Sequence, residues 1–315
     1  MRKEIGGYFE LERFSGVLPH EGALALSSGR ACLAYLIEQR QIRKMLLPDF
    51  ICDVVEQVCE SHRVALRRYA IREDLRPPEL QPEDGEWVYL VNYYGQLTQE
   101  ELRGYAAKYP RVIIDNAQAF FAPAIPGVDT LYTCRKFFGV SDGGFLYTDA
   151  PERALERDES WARMRFVLGR YERPAGEFFA EASQNNDLLP EEPKQMSALT
   201  ENLLRAVDYD AVRKRRTENY QILNEVLGSF NCQSVRHTEG AYAYPLMLEE
   251  GERIRKELIA RKIFVAQLWP NVLRSCPEES PACRLTRQIL PLPCDQRYGQ
   301  EEMQLIIDAV RTSLL

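Results

Sequence analysis

Residues 111–148, RVIIDNAQAFFAPAIPGVDTLYTCRKFFGVSDGGFLYT, decide the fold of this chain. An apolar run (Val112, Ile113, Ile114) delivers Asp115, and Gln118 follows three residues later. A second short run, Thr130 to Thr133, delivers Lys136 among small and aromatic residues. Gly143-Gly144 then opens a third, Phe145 to Thr148. Runs this short and this apolar read as strands buried on both faces. Asp115 and Lys136, 136 − 115 = 21 residues apart, each leave the end of such a strand.

Working outward, Ala23 to Ser27 reads as a short strand, and Gly29-Arg30 opens a helix with apolar residues at Ala31, Leu33, Ala34, Leu36 and Ile37. Met45 to Leu47 is a second strand, ended by Pro48-Asp49-Phe50. The helix after it carries Ile51, Val54, Val55 and Val58. Val64 to Ile71 is a third strand, and the Pro- and acid-rich stretch Arg72 to Glu86 is a solvated connection. Trp87 to Val91 leads to Asn92-Tyr93-Tyr94-Gly95, and Thr98 with Glu101 predicts a capping box for a helix ending at Lys108. Strands alternating with helices predict an α/β fold with a seven-stranded, mostly parallel sheet, whose ligands lie at the carboxyl ends of the strands. Asn92, Asp115, Thr133 and Lys136 all fall at such ends.

An acid and a lysine so placed suit one chemistry well. In pyridoxal-phosphate (PLP) enzymes a lysine forms the Schiff base while a carboxylate pairs with the protonated pyridine nitrogen. The motifs DNAQAFF (115–121) and CRKFFGVSDG (134–143) resemble the core of the DegT-type sugar aminotransferases, in particular a short-chain subgroup found with surface-polysaccharide genes. The similarity runs from Ile5-Gly-Gly-Tyr-Phe-Glu-Leu-Glu to Leu292-Pro-Cys-Asp-Gln-Arg-Tyr. It implies the aspartate-aminotransferase (type I) PLP fold, with a large domain over 1–180 and a small α/β C-terminal domain over 181–315. It also implies pyridoxal 5'-phosphate as cofactor, Lys136 as the catalytic lysine, Asp115 at the ring nitrogen, Gln118 near the ring oxygen and Thr133 in the cofactor site.

Other candidates carry two readings each. Ser27-Ser28-Gly29, at a strand-to-helix turn, is an anion cradle or a plain helix N-cap. The resemblance favours the cradle, because relatives hold the PLP phosphate at this turn. They carry Gly-Thr where this chain has Gly29-Arg30, so Arg30 points either at that phosphate or at a substrate phosphate. Phe50 corresponds in kind to an aromatic lying on the PLP ring face, or is a core residue. Tyr93, Tyr94 and Trp269 stack on a nucleotide or sugar, or pack in the core. His20, His62 and His237 fit no triad or metal spacing, and His20 reads as a structural histidine. Arg170 and Arg173 are candidates for contacting a phosphorylated substrate.

From Pro151 to Arg173 the chain turns polar and helical, and Glu181 to Lys194 reads as a linker. Long helices follow, then strands at Tyr242–Leu248 and Ile263–Trp269, a helix Gly251–Lys262 between them, and a closing helix Tyr298–Leu314. Relatives carry Gly-Tyr-Asn-x-x-Arg-Met-Ser where this chain has Glu192-Pro-Lys-Gln-Met-Ser, and Lys194 is the residue that could replace their cross-subunit asparagine electrostatically.

At 315 residues, 45% hydrophobic and 28% charged, the chain has ample core for one large and one smaller domain. A net charge of −7 argues against a nucleic-acid partner. The basic cluster Arg213-Lys-Arg-Arg216 reads as a solvated helix face. There is no apolar run of membrane-spanning length, and the N-terminal residues lack the apolar core of a signal peptide. Eight scattered cysteines without C-x-x-C pairs suit reduced thiols in the cytoplasm, with Cys276 and Cys283 close enough in sequence to bridge.

The functional expectation is a PLP-dependent aminotransferase that moves an amino group, from glutamate by analogy, to a keto-sugar nucleotide for surface glycans, working as a homodimer. Relatives with histidine in place of the lysine are dehydratases, and Lys136 argues against that branch. Two alternatives stand beside it: a fold relative that binds PLP or an assembly partner without transaminating, and PLP chemistry on an amino acid. Transfer of an amino group to a 4-keto-sugar nucleotide separates all three.

Overall fold

The computed structural model describes residues 5–190 and 192–315. The first four residues of the signal-peptide reading, and residue 191 inside the proposed linker, lie outside the described residues.

Seven strands form one sheet in the order β1-β7-β6-β5-β4-β2-β3: β1 (Leu24–Leu26), β2 (Lys44–Pro48), β3 (Ala65–Tyr69), β4 (Glu86–Val91), β5 (Val112–Asp115), β6 (Asp129–Thr133) and β7 (Gly144–Tyr147). Strands β3, β2, β4, β5 and β6 run parallel, and β7 is antiparallel to both β6 and β1. Every residue of β5 and β6 is buried, as their β-branched and aromatic runs require of central strands. The edge strand β3 instead carries Arg67 and Arg68, charges that discourage further strand pairing. Helices α1 (Gly29–Gln39), α2 (Asp53–Ser61) and α3 (Gln99–Lys108) connect the strands. The capping box predicted at Thr98 and Glu101 is formed.

Past β7 the chain is irregular to residue 160. Short helices α4 (Arg165–Glu172), α5 (Phe179–Gln184) and α6 (Ala198–Leu204) follow, so the helical reading of Pro151–Arg173 holds only for its last third and the linker begins inside a helix. Gln195 returns to the sheet by isolated bridges to Leu26 and Arg157.

A second core is built by α7 (Tyr209–Leu227), α8 (Gly251–Ala260) and α11 (Gln300–Ser313) around the antiparallel pair of β8 (Tyr244–Met247) and β9 (Ile289–Leu292), with α9 (Val272–Ser275) and α10 (Pro281–Gln288) intervening. The strand expected at Ile263–Trp269 is not one. The edge of β8 is taken by Ile289–Leu292, all four residues of which are buried, whereas Phe264 is 59% exposed and residues 263–269 pair with nothing.

The basic cluster also departs from expectation. Arg216 is 1% exposed and lies on the buried face of α7 with Tyr220, Leu223 and Leu227. All eight cysteines are free, and the Cys283 thiol contacts the carbonyls of Val272 and Cys276 rather than another sulfur. Among the described residues no helix is long and apolar enough to cross a membrane.

Candidate active site

The site is built from strand ends. The backbone amide of Asn92 donates to the Asp115 carbonyl at 3.0 Å, and that of Asn116 to the Leu131 carbonyl at 2.8 Å, so β4 and β5 end level while β6 runs on to Thr133. The side chains of Asn92 and Asn116 are tied at 3.0 Å and lock these ends together. Gly144 lets β7 and the Ser28 turn meet, since a Cβ there would stand 2.8 Å from the Ser28 carbonyl carbon. The chain thereby places Ser28, Gly29 and Arg30 beside the residues leaving β6.

Asp115 is 7% exposed. Its carboxylate accepts from the Ala117 amide at 2.7 Å and the Tyr89 hydroxyl at 2.9 Å. Burial pushes its pKa up, opposed by Lys136 and by these two donors. Lys136 is exposed to solvent, although protein atoms crowd closely around it. Desolvation lowers its pKa, with Asp115 and Cys52 acting to raise it and Arg135 to lower it further. Asp115 and Lys136 feel each other's charge without ion-pair contact, and the ammonium stands 5.7 Å from the centre of the Tyr242 ring.

Gln118, 1% exposed, accepts from the Tyr94 amide at 2.9 Å through Oε1, while its Nε2 has no partner. Tyr94 adopts φ +52° to make that contact, a conformation a bulky residue rarely takes. Ser28 caps α1, its hydroxyl accepting from the Ala31 amide at 3.1 Å. The amides of Gly29 and Arg30, in the first turn, have no intrahelical acceptor. Thr133, 7% exposed, packs against this turn, its Cβ 3.9 Å from where a Cβ on Gly29 would stand.

Phe50 takes its core reading. Its ring is 0% exposed, with Tyr93 and Trp269 at centroid distances of 5.3 and 4.5 Å, so it offers no free face to a ligand. The residue of that turn that faces the site is Cys52, within electrostatic reach of both Lys136 and Arg30. Tyr93 and Tyr94 are likewise enclosed. Arg170 and Arg173 are exposed on the surface around α4, with Arg173 paired to Glu177. The Lys194 ammonium lies 3.5 Å from Glu156.

Two residues whose roles the sequence reading missed hold the backbone beside the lysine in place. Arg216 donates to the Phe137 carbonyl at 3.1 Å and the Ala241 carbonyl at 2.9 Å, with its guanidinium 4.7 Å from the Phe137 ring centre. Gln296 donates to the same Phe137 carbonyl at 2.7 Å and accepts from Arg216 Nε at 2.7 Å. The second core therefore clamps the backbone directly after Lys136.

A cleft of about 650 Å³ lined by Pro19, His20, Phe121, Pro123 and Tyr147 opens elsewhere, flanking the start of β6. It holds neither Lys136 nor Asp115, so chemistry rather than volume locates the candidate site.

The architecture matches solved structures throughout. S. venezuelae DesV is 18% identical, with TM-score 0.64 over 92% of this chain and 84% of that one. The aminotransferase TlmJ from Streptoalloteichus hindustanus is 14% identical, with TM-score 0.66 over 93% of this chain and 85% of that one. NtdA from Bacillus subtilis, solved with bound cofactor PMP, is 13% identical, with TM-score 0.66 over 92% and 72%. The fold is that of these aminotransferases. No family model matches the sequence, and no curated protein does.

Proposed function

We propose that the chain is a PLP-dependent aminotransferase that transfers an amino group, from glutamate, to a keto-sugar nucleotide in surface glycan biosynthesis. The observation that carries this reading is a buried carboxylate, Asp115, facing an accessible lysine of lowered pKa, Lys136, across a gap that no ion pair closes. The unpartnered Nε2 of Gln118 and the free first-turn amides of α1 add donors of the kind the cofactor's polar groups require. The residues present therefore fit pyridoxal 5'-phosphate. The fold shared with NtdA and with Streptococcus pneumoniae Spr1654, solved in a PLP form, supports the same reading.

When bound, PLP supplies an electron sink for bond breaking at the substrate α-carbon. The chain's own residues do the rest. Asp115, whose carboxylate accepts from the Ala117 amide and the Tyr89 hydroxyl, would hold a proton on the cofactor's ring nitrogen through a charge-assisted hydrogen bond. Lys136, its pKa lowered by desolvation, would hold the cofactor through Nζ and, once the substrate amine had released it, would carry a proton on Nζ during the transfer. Tyr242 and Phe137 wall its side, and Arg216 fixes its backbone.

In this reading residues 1–180 bind the cofactor, 181–315 form the smaller domain, and the working unit is a homodimer in the cytoplasm. Incubation with PLP, glutamate and a 4-keto-sugar nucleotide is expected to yield 2-oxoglutarate and an amino sugar in equal amounts. Absence of both products, with PLP demonstrably bound, would leave a fold relative that binds the cofactor without transaminating.

A further inference from the structure

Arg30 and Arg163 both act on Arg135, the residue before Lys136, and the three arginines are not equivalent. Arg163 is paired with Asp158. Arg30 and Arg135 have no carboxylate partner among the described residues. Both instead donate to one residue, Asn186: Arg30 Nη2 to its backbone carbonyl, and Arg135 Nη1 to its side-chain oxygen at 2.9 Å. The carboxylate nearest in charge to Arg135, Asp142, is committed elsewhere. It accepts from the Ser197 amide at 2.8 Å, the Ser197 hydroxyl at 2.9 Å and the Thr200 hydroxyl. Asp187, which acts on Arg30 through space, is exposed and makes no ion pair with it.

Two guanidiniums that share a neutral partner repel each other, and partial burial strengthens the repulsion. Burial first, and Arg30 second, pull the pKa of Arg135 down to about 10. Most of their N–H donors are unspent, and Arg135 Nε is buried without any acceptor. The first-turn amides of α1 adjoin them, because Arg30 is itself the second residue of that helix. The chain as a whole carries −7, so this concentration of positive charge is local. Asn185 anchors the segment that bears Asn186, donating to the Ser141 carbonyl at 2.8 Å.

We propose that Arg30 and Arg135 form a two-guanidinium seat for a phosphate dianion beside Lys136, with Asn186 holding the two forks in register. Guanidinium forks match phosphate oxygens, and a dianion would relieve their mutual repulsion. The phosphate belongs either to the cofactor or to the nucleotide of the substrate. The inference deepens the function proposed above and rests on it for these two sources, while the seat itself is testable without it.

The test uses Arg30→Gln, Arg135→Gln and Asn186→Asp, each checked by thermal unfolding. Asn186→Asp keeps both arginines but places a carboxylate between them. Binding of inorganic phosphate by calorimetry is expected to weaken about tenfold or more in all three variants, as losing a charge-assisted hydrogen bond implies. A purely structural role for the arginines would be strengthened by Asn186→Asp and would leave phosphate binding unchanged. Titration with PLP and with pyridoxal, which lacks the phosphate, then distinguishes the sources. If the seat holds the cofactor, the wild-type preference for PLP shrinks about tenfold in both arginine variants. If it holds the substrate, that preference survives and affinity for uridine diphosphate falls instead. Folded variants that bind phosphate, PLP and uridine diphosphate like the wild type would overturn the proposal. Failure of either aldehyde to give a visible band in the wild type would count against the PLP reading alone, since the phosphate titration judges the seat separately.

Discussion

Strand β6 is five residues long, and its two ends are built on opposite principles. At its start, Asp129 is held by Arg40 through two bonds of 3.0 and 2.9 Å and by the Thr148 hydroxyl at 2.6 Å, so a nearly buried charge is fully answered. Beyond its end, among the described residues, Lys136 has no ion pair, Gln118 Nε2 has no acceptor, and Arg30 and Arg135 share Asn186. A folded chain answers its buried charges where only stability is at stake. Leaving several polar groups unanswered around the same strand ends marks the place where a ligand would answer them.

Substitutions at the two ends should therefore act on different quantities. The largest effect is expected for Lys136→Ala, which should cut amino transfer at least about 10³-fold, on the scale of losing a positioned nucleophile and proton carrier. Its unfolding free energy should be equal to or above wild type, because the substitution removes a desolvated ammonium. Clear destabilisation would blur the contrast between the ends. Arg216→Ala tests the clamp behind the lysine. Loss of a buried guanidinium with four carbonyl or amide partners should cost about 3–4 kcal/mol in urea unfolding. Activity at a temperature where the variant stays folded should still drop, about tenfold.

Asp129→Asn, at the answered end, should cost about 2–3 kcal/mol, less than a wholly buried pair because Arg40 is partly exposed and keeps Asp149. Its turnover should match wild type. A fall in turnover without a fall in stability would break the comparison. An effect confined to acid pH, and absent near neutrality, concerns the middle of the strand, where the His20 ring lies 4.0 Å from that of Tyr132 and burial pulls its pKa down to about 4. Between that value and the ordinary 6.5 the unfolded chain binds a proton that the folded chain refuses, so wild-type stability declines as pH falls through this window. His20→Phe should remove that slope, worth up to about 3 kcal/mol near pH 4. Unfolding curves at several pH values, parallel for both proteins, would show that His20 does not carry it.

How much of this was legible in the sequence varies with the physics behind each element. Val112–Asp115 and Asp129–Thr133 were plain, because a strand buried on both faces needs an unbroken apolar run. Asp115, Gln118 and Lys136 stood out by motif and by their place at strand ends. The face presented by Pro48–Cys52 was not legible, since backbone angles in a turn decide whether Phe50 or Cys52 looks toward the site. Nor was the false strand at residues 263–269, where an apolar run fits a strand but Ile289–Leu292 wins the pairing with β8. Arg216 hid inside a run of basic residues. Its spacing from Tyr220, Leu223 and Leu227, four, seven and eleven residues on, was the overlooked signal that it shares their buried face.

The most direct measurement of the central claim is borohydride reduction of the protein with PLP, followed by peptide mass spectrometry. The account predicts one phosphopyridoxyl group, on the peptide at Lys136, and none there in Lys136→Ala. Label spread over surface lysines, or Lys136 left unmodified while another lysine is stoichiometrically labelled, would contradict it.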